Sequence, residues 1–276
     1  MLDKKNLYII STPIGNVEDI TLRAIKTLNL CEAIICEDTR ISAKLLAYLE
    51  IPHKPLISYN NFNEASKSEY ILNLFNTYSH IGLISDAGTP LISDPGYLLI
   101  QLCYKNNIKI IPIPGVSSPI VALSASGLPC DKFFFIGFLP KIENQKFNIL
   151  SKYANLENTL IFFESPHRII NTLHCLAKIY PLEHNICIAR EMTKKFEEFL
   201  IKPLSQLIEH FNNTEPLGEF VVVIPPLKVA TNIDDLTDTI LNNISLQEPS
   251  ILAKNLAKTY GLNKKDVYKK ILELKK

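Results

Sequence analysis

IGLISDAGTPLISDPG, residues 81–96, passes from a four-residue apolar run straight into a compact polar cassette, SDAGTPLISDPG (85–96). A short apolar run bounded by Gly, Pro, Asp and Ser reads as a buried strand followed by a turn. The same grammar recurs in both directions along the chain. LYII runs into STPIGN (11–16), AIIC into EDTR (37–40) and IKIIPI into PGVSS (114–118). LIFF runs into ESPHR (164–168) and ICI into AREMTK (189–194). In open α/β sheets ligands bind in the crevice beyond the carboxyl ends of the strands. Six charged or turn-rich cassettes in that position predict an active site assembled from loops on a rigid sheet. Polar turns follow strands in any globular protein, which explains each cassette singly. It does not explain why acid, base and Gly/Pro recur together.

Around these cassettes the chain divides into three regions. The first alternates strands (7–11, 33–36, 81–85, 108–113) and a short extended piece at 56–58 with helices near 19–30, 41–49, 64–78 and 96–106. That βαβ series predicts a mostly parallel sheet. Pro112-Ile113-Pro114-Gly115 marks a boundary, bridged by a helix near 117–127. The second region has strands at 133–138, 159–163, 186–189, 196–201 and 219–224, with helices near 140–154, 167–179 and 204–212. FEEFL (196–200) and EFVVVI (219–224) are close in sequence and are expected to pair antiparallel, making this sheet mixed. The third region is helical. Residues 234–244 have helical spacing, Ser250 caps ILAKNLAKTY, and Gly261 stops it. Asn263 and Asp266 cap a last helix whose Val267, Ile271 and Leu274 share a face. The expected fold class is α/β, with domains at 1–115 and 116–226 and a basic helical tail at 227–276.

With 47% hydrophobic and 21% charged residues over 276 positions, the composition is that of an ordinary globular protein. No apolar run approaches the ~18 residues of a membrane span, and because MLDKKNLYII passes from a charged start straight into a strand, no signal peptide is expected. A cytoplasmic protein without membrane contact is expected. Six cysteines form no CxxC pair and no zinc spacing, so reduced thiols and no metal site are expected. Arginine is scarce: of Arg23, Arg40, Arg168 and Arg190, the last three fall in cassettes. The planar guanidinium is what a bidentate grip on phosphate or carboxylate requires. Gly15, Gly88, Gly96 and Gly115 also sit in cassettes, where positive φ or close ligand approach is the natural demand. The net charge of +1 conceals an asymmetry. Residues 250–276 hold eight Lys against Asp266 and Glu273, a balance of +6 against about −5 for the remainder. A basic end suits either a polyanionic partner or a solvated helix face.

There is no GxxxxGK[ST] loop, no GxGxxG after the first strand and no GxSxG elbow. In SDAGTPLISDPG, Gly88 and Pro90 rigidify the backbone while Asp86, Thr89, Ser93 and Asp94 offer polar groups. That suits a neutral or cationic ligand better than a triphosphate. Glu164, His167 and Arg168, with Arg190 and Glu191, add acid–base and anion-gripping groups. A lone histidine more often caps or packs than catalyses. The residues by themselves describe an α/β enzyme with a ligand in a cleft.

STPIGNVEDIT, EDTR, SDAGTPLISDPG, PG, ESPHR and AREMTK, in this order, resemble the ribosomal RNA small subunit methyltransferase I family, over about Leu7 to Pro226. The Lys-rich tail is similar to the family's as well. The resemblance implies a fold of the tetrapyrrole-methylase type, with two α/β domains and S-adenosylmethionine in the cleft between them. It implies transfer of a methyl group to the ribose 2′-oxygen of a cytidine in the decoding region of small-subunit rRNA. Carried over by position, Pro13 and Gly15 lie at the cleft floor, and Asp86, Gly88, Thr89, Pro90, Leu91 and Ile92 line the cofactor. Ser117, Ser118, Phe163 and Ala189 close round it. Asp38, Glu164, Glu191 and His167 are the candidate bases, and Arg40, Arg168 and Arg190 would hold flanking phosphates. The implied partners are small-subunit rRNA within the 30S subunit and a second copy of the chain. One departure is Val116-Ser117-Ser118-Pro119, where the family has small residues ending in alanines; Pro119 falls in the first turn of the bridging helix. Two other readings remain open: a C-methyltransferase of a tetrapyrrole acid (uroporphyrinogen or precorrin type), and an rRNA-binding assembly factor without activity.

Overall fold

The first sheet contains β1 (Asn6–Ile10), β2 (Ala33–Cys36), β3 (Leu56–Ser58), β4 (His80–Leu83) and β5 (Lys109–Ile113) in the order β3-β2-β4-β1-β5. All four pairings are parallel. The structure, a computed structural model, describes residues 5–60, 63–227, 233–244, 247–260 and 262–275. The strands alternate with α1 (Leu22–Leu30), α2 (Thr39–Tyr48), α3 (Glu64–Leu74) and α4 (Tyr97–Lys105). A parallel sheet is covered on both faces, which is why AIIC in β2 is apolar without alternation and wholly buried. On one face Ala24, Leu28 and Leu46 from α1 and α2 pack on Tyr8, Ile10, Ile34 and Cys36. On the other, Ile71, Phe75, Leu99 and Cys103 pack on Leu7, Ile35, Ile81 and Leu83.

The bridging helix, α5 (Ser118–Ala125), starts as expected despite Pro119. First-turn amides have no intrahelical acceptor, so a residue lacking N–H costs nothing there. The second sheet contains β6 (Phe133–Phe138), β7 (Thr159–Glu164), β8 (Asn185–Arg190), β9 (Glu198–Pro203) and β10 (Phe220–Ile224) in the order β6-β7-β10-β8-β9. Its helices are α6 (Glu143–Ala154), α7 (Ile169–Leu176) and α8 (Leu204–Asn213). The sheet is mixed, with β6–β7 parallel and the rest antiparallel. One expectation is corrected. FEEFL pairs with β8 (Ala189↔Phe199, Ile188↔Leu200), not with EFVVVI. The left-handed Glu191 and Thr193 turn β8 directly back into β9. The fully buried β10 takes the central place between β7 and β8, leaving β9, with its exposed Ile201, at the edge.

Two compact units are distinguished. Both sheets belong to the first, Met1–Ile149 with Asn158–Pro225; the second is Leu150–Glu157 with Pro226–Lys276. In the second, α9 (Thr237–Asn243), α10 (Pro249–Tyr260) and α11 (Lys264–Leu274) enclose Ile240, Leu252, Leu256, Val267 and Ile271. Asn263 caps α11 by accepting from the Lys265 amide at 2.9 Å. The second helix begins at Pro249, so Ser250 lies inside its first turn; the expected stop at Gly261 lies outside the described residues. Lys254, Lys264, Lys265, Lys269 and Lys275 are exposed. Among the described residues no helix is long and apolar enough to cross a membrane.

Candidate cofactor and active site

Neighbouring strands β1 and β4 send their chains to opposite faces of the sheet, towards α1 and α4. A switch point of this kind opens a crevice at the carboxyl ends. There the Thr12 amide donates to Gly88 O at 2.8 Å and the Gly88 amide to Thr12 O at 3.0 Å. The Thr12 hydroxyl donates to Ser85 O (3.1 Å). The Thr89 hydroxyl donates to Val116 O (2.9 Å) and lies 2.9 Å from the Ser11 hydroxyl. Three cassettes are thus tied into one floor. Gly88 (φ +82°), Leu91 (+71°) and Ser93 (+70°) are all left-handed. For the two residues with side chains that costs about 1–2 kcal/mol each, and strain of this kind collects at ligand sites.

Above this floor lies a cavity of about 900 Å³. Its wall takes Asp86, Gly88, Thr89, Ile92, Ser93 and Asp94 from the loop after β4, and Ser117, Ser118 and Pro119 from the start of α5. Phe138, Phe163 and Pro166 come from the ends of β6 and β7; Glu191, Met192 and Lys194 follow β8; Glu219 precedes β10, and Phe220 and Val221 open it. Ile14, Glu37, Ala87 and Gly218 complete it.

Carboxylates dominate its electrostatics. Burial pushes Asp94 up to about 6; Asp86 and Glu219 reinforce the shift and the Ser85 hydroxyl opposes it. Burial also raises Glu37, with Asp86, Asp94, Asp38 and Glu219 adding to it. Asp86 is raised by burial although its Oδ1 accepts from the Asp38 amide at 3.1 Å. Lys194, the cation on the wall, is engaged with Glu191 Oε1 at 2.9 Å.

The residues expected to carry chemistry are divided by the structure. Asp86, Gly88, Thr89, Ile92, Ser117, Ser118 and Phe163 line the cavity, as does Glu191. Pro13, Pro90 and Ala189 are buried and do not line it. Leu91 packs under Gly96, and Gly15 lies so close to the loop after β8 that a Cβ there would stand 2.6 Å from Lys194 Cγ. Asp38 caps α2, accepting from the Arg40 amide at 2.8 Å and from its Nη2 at 2.5 Å. That guanidinium holds the carboxyl well below the usual range.

Glu164 and Arg168, expected in catalysis and phosphate binding, are engaged with each other and with their neighbours. Glu164 is fully buried. It accepts from the Ser165 amide (2.9 Å) and the Thr172 hydroxyl (2.6 Å), and lies 2.8 Å from Arg168 Nε. Lys146 Nζ donates to the same Thr172 hydroxyl (2.8 Å), and Arg168 Nη2 to Leu139 O (2.7 Å). Arg190 pairs with Glu198 at 2.6 Å across β8 and β9. His167 is exposed and stands off the cavity wall.

Sequence reasoning passed over Glu37, Phe138, Lys194 and Glu219, all on the wall, and gave Ser93 and Asp94 no assigned role. Glu37 opens EDTR, and Gly218-Glu219 immediately precede an all-apolar strand. The strand-then-cassette pattern marks residues after a strand, and Glu219 comes before one.

A parallel sheet joined to a mixed one, with the site at the strand ends, defines a protein of the tetrapyrrole-methylase class. The family model for Tetrapyrrole (Corrin/Porphyrin) Methylases matches residues 6–208. The fold is shared with uroporphyrin-III C-methyltransferase from Thermus thermophilus, solved in complex with S-adenyl homocysteine. The TM-score is 0.57 at 16% identity, covering 79% of this chain and 96% of that one. Ribosomal RNA small subunit methyltransferase I of Rickettsia prowazekii is 49% identical over 224 residues, 81% of this chain and 79% of its own. Its counterpart in Mesorhizobium japonicum is 39% identical over 271 residues, 98% and 92% of the two chains. The chain belongs to the ribosomal RNA small subunit methyltransferase I family.

Proposed function

We propose that this protein transfers a methyl group from S-adenosylmethionine to the ribose 2′-oxygen of a cytidine in the decoding region of small-subunit rRNA. The names of its relatives support the rRNA substrate. The observation that carries the chemistry is the carboxylate-lined cavity. S-adenosylmethionine bears a sulfonium and an ammonium, and Glu37, Asp86, Asp94 and Glu219, crowded into one cavity, are relieved by a cation. A volume of about 900 Å³ lies in the range of small-molecule sites. Gly88, Thr89, Ser117 and Ser118 offer backbone and hydroxyl partners, while Phe163 and Val221 offer an apolar wall. The residues fit the group.

Bound there, S-adenosylmethionine supplies a methyl already activated for transfer. The protein must hold the 2′-oxygen in line with it, which provides most of the acceleration. It must also accept a hydroxyl proton, worth about 10²–10⁴-fold. Asp38 is clamped by Arg40 and Glu164 is enclosed. We therefore assign the proton to a cavity carboxylate, Asp94 foremost, since its raised pKa brings it close to neutrality. Arg40 and the exposed lysines of the second unit are placed on rRNA phosphates. The working form is taken as a homodimer in the cytoplasm acting on the 30S subunit, as the family resemblance implies.

The test is methyl transfer from labelled S-adenosylmethionine to 30S subunits from cells lacking the protein, with the product mapped by primer extension. A stop at a 2′-O-methylated cytidine is expected. Label on an added porphyrinogen, or on no acceptor, overturns the reading.

A further inference from the structure

Phe138 owes its place on the cavity wall to an irregularity in β6. The β6–β7 ladder runs through Phe135↔Ile161 and resumes at Phe138↔Phe163, three steps on one strand against two on the other. Gly137, at φ +66°, lies within this bulge. Side chains alternate along a strand, so a regular ladder would set residue 137 beside Phe163 and turn Phe138 to the opposite face with Phe162. One extra residue reverses that parity. Bulges next to active sites re-aim side chains in this way.

The re-aimed ring ends a row of aromatic contacts. Phe138 lies 5.2 Å from Phe163, tilted at 56°, and Phe163 lies 5.0 Å edge-on from Phe135. Phe135 and Phe163 belong to the apolar packing beneath this face, whereas Phe138 is 49% exposed. The bulge is also seated on the acidic loop, since a Cβ on Gly137 would stand 3.0 Å from Ser93 Oγ, next to Asp94. The cavity therefore combines, on one side, a half-exposed aromatic face and carboxylate acceptors. That suits a planar heterocycle with an exocyclic amine, and Asp and Glu are the side chains that accept from the cytosine amine.

We propose that Phe138, presented by the bulge at Gly137, is the stacking platform for the nucleobase of the acceptor nucleotide. The proposal rests on the reading of the protein as an rRNA ribose methyltransferase. A nucleotide must leave its helix to present its ribose in a cavity, and an aromatic face compensates for the stacking it loses. The exposure of Phe138 puts it where a macromolecular substrate arrives. Gly88, Thr89, Ser117 and Ser118 line the recess assigned to the cofactor.

Phe138→Leu keeps the apolar bulk and removes the ring; Phe138→Tyr keeps the ring. The first should lower kcat/KM for 30S subunits by roughly 5- to 150-fold, the range of one base–aromatic stack. The second should restore most of it. Calorimetric affinity for S-adenosylmethionine should be unchanged in both. Binding of a fluorescein-labelled oligocytidylate, measured with S-adenosylhomocysteine present, should weaken in the Leu variant alone. Loss of cofactor affinity in that variant would instead assign the ring to the cofactor's adenine and overturn the proposal, as would unchanged RNA binding and kcat/KM. If wild-type protein methylates no 30S subunit yet the oligocytidylate loss persists, the ribose-methyltransferase reading fails while the platform stands.

Discussion

The loop leaving β7 and the loop leaving β4 both carry charged cassettes, ESPHR and SDAGTPLISDPG, in opposite physical states. At the end of β7, α6 and α7 deliver Lys146, Arg168 and Thr172 to Glu164, and every charge is closed on a neighbour. At the end of β4, Asp86 and Asp94 face a cavity shared with Glu37 and Glu219, and repulsion and burial hold their protons more tightly. The first arrangement uses charge to hold the wall that contains Phe163 and Pro166. The second keeps charge available for something that arrives from outside. A charged cassette is closed when adjoining helices bring its counter-ions and stays open when they do not.

Breaking the closed network should have the largest effect. Glu164→Ala leaves Arg168 and Lys146 without their buried carboxylate and should destabilise the fold by about 3–5 kcal/mol in denaturant titration. A change below about 1 kcal/mol would mean that the network is solvated, and the contrast with the cavity would fail.

Gly88→Val acts on the open cassette. Glycine tolerates φ +82° and valine does not, so the Thr12–Gly88 bridge must shift. A Cβ at that position would meet only ordinary contacts, the nearest being Ile14 at 3.5 Å, so the backbone angle carries the effect. Calorimetry should find no saturable binding of S-adenosylmethionine while circular dichroism shows a folded protein. Wild-type affinity would show that the floor of the cavity does not hold the cofactor.

Asp94→Asn sharpens the contrast through pH. An aspartate has a pKa of about 3.9 when unfolded, against about 6 here. Between these values the folded protein binds the additional proton. The stabilising contribution of the protonated group is therefore complete below about pH 4 and lost as pH rises through about 6. Removing the charge should raise the melting temperature at pH 7.5 by about 2–4 °C, allowing about 1 kcal/mol for a partly exposed group. Near pH 4 wild type and variant should melt together. A variant that melts lower at both pH values would show that Asp94 is paired after all.

Arg40→Lys should have the smallest effect on the fold. Its side chain is 84% exposed, and an exposed ion pair contributes little. Melting should stay near wild type, while rRNA affinity falls with the loss of the bidentate fork. A fall in melting temperature with unchanged rRNA binding would make Arg40 structural.

The sequence by itself determined the elements and their class. Apolar runs such as AIIC and EFVVVI, punctuated by Gly and Pro, can only be buried strands, and the βαβ spacing of the first region admits only a parallel sheet. The crowding of Gly88, Pro90, Asp86 and Thr89 marked the floor of the cavity for the same local reason, since backbone freedom and turn chemistry belong to the residues themselves. Partnership was decided by tertiary structure alone. ESPHR does not contain Lys146 or Thr172, and nothing in EFVVVI says that it will separate β7 from β8. A one-residue bulge, which turns Phe138 into the cavity, exists only as a register between two strands. Electrostatics and burial depend on what lies across space, at sequence separations where composition and periodicity carry no information.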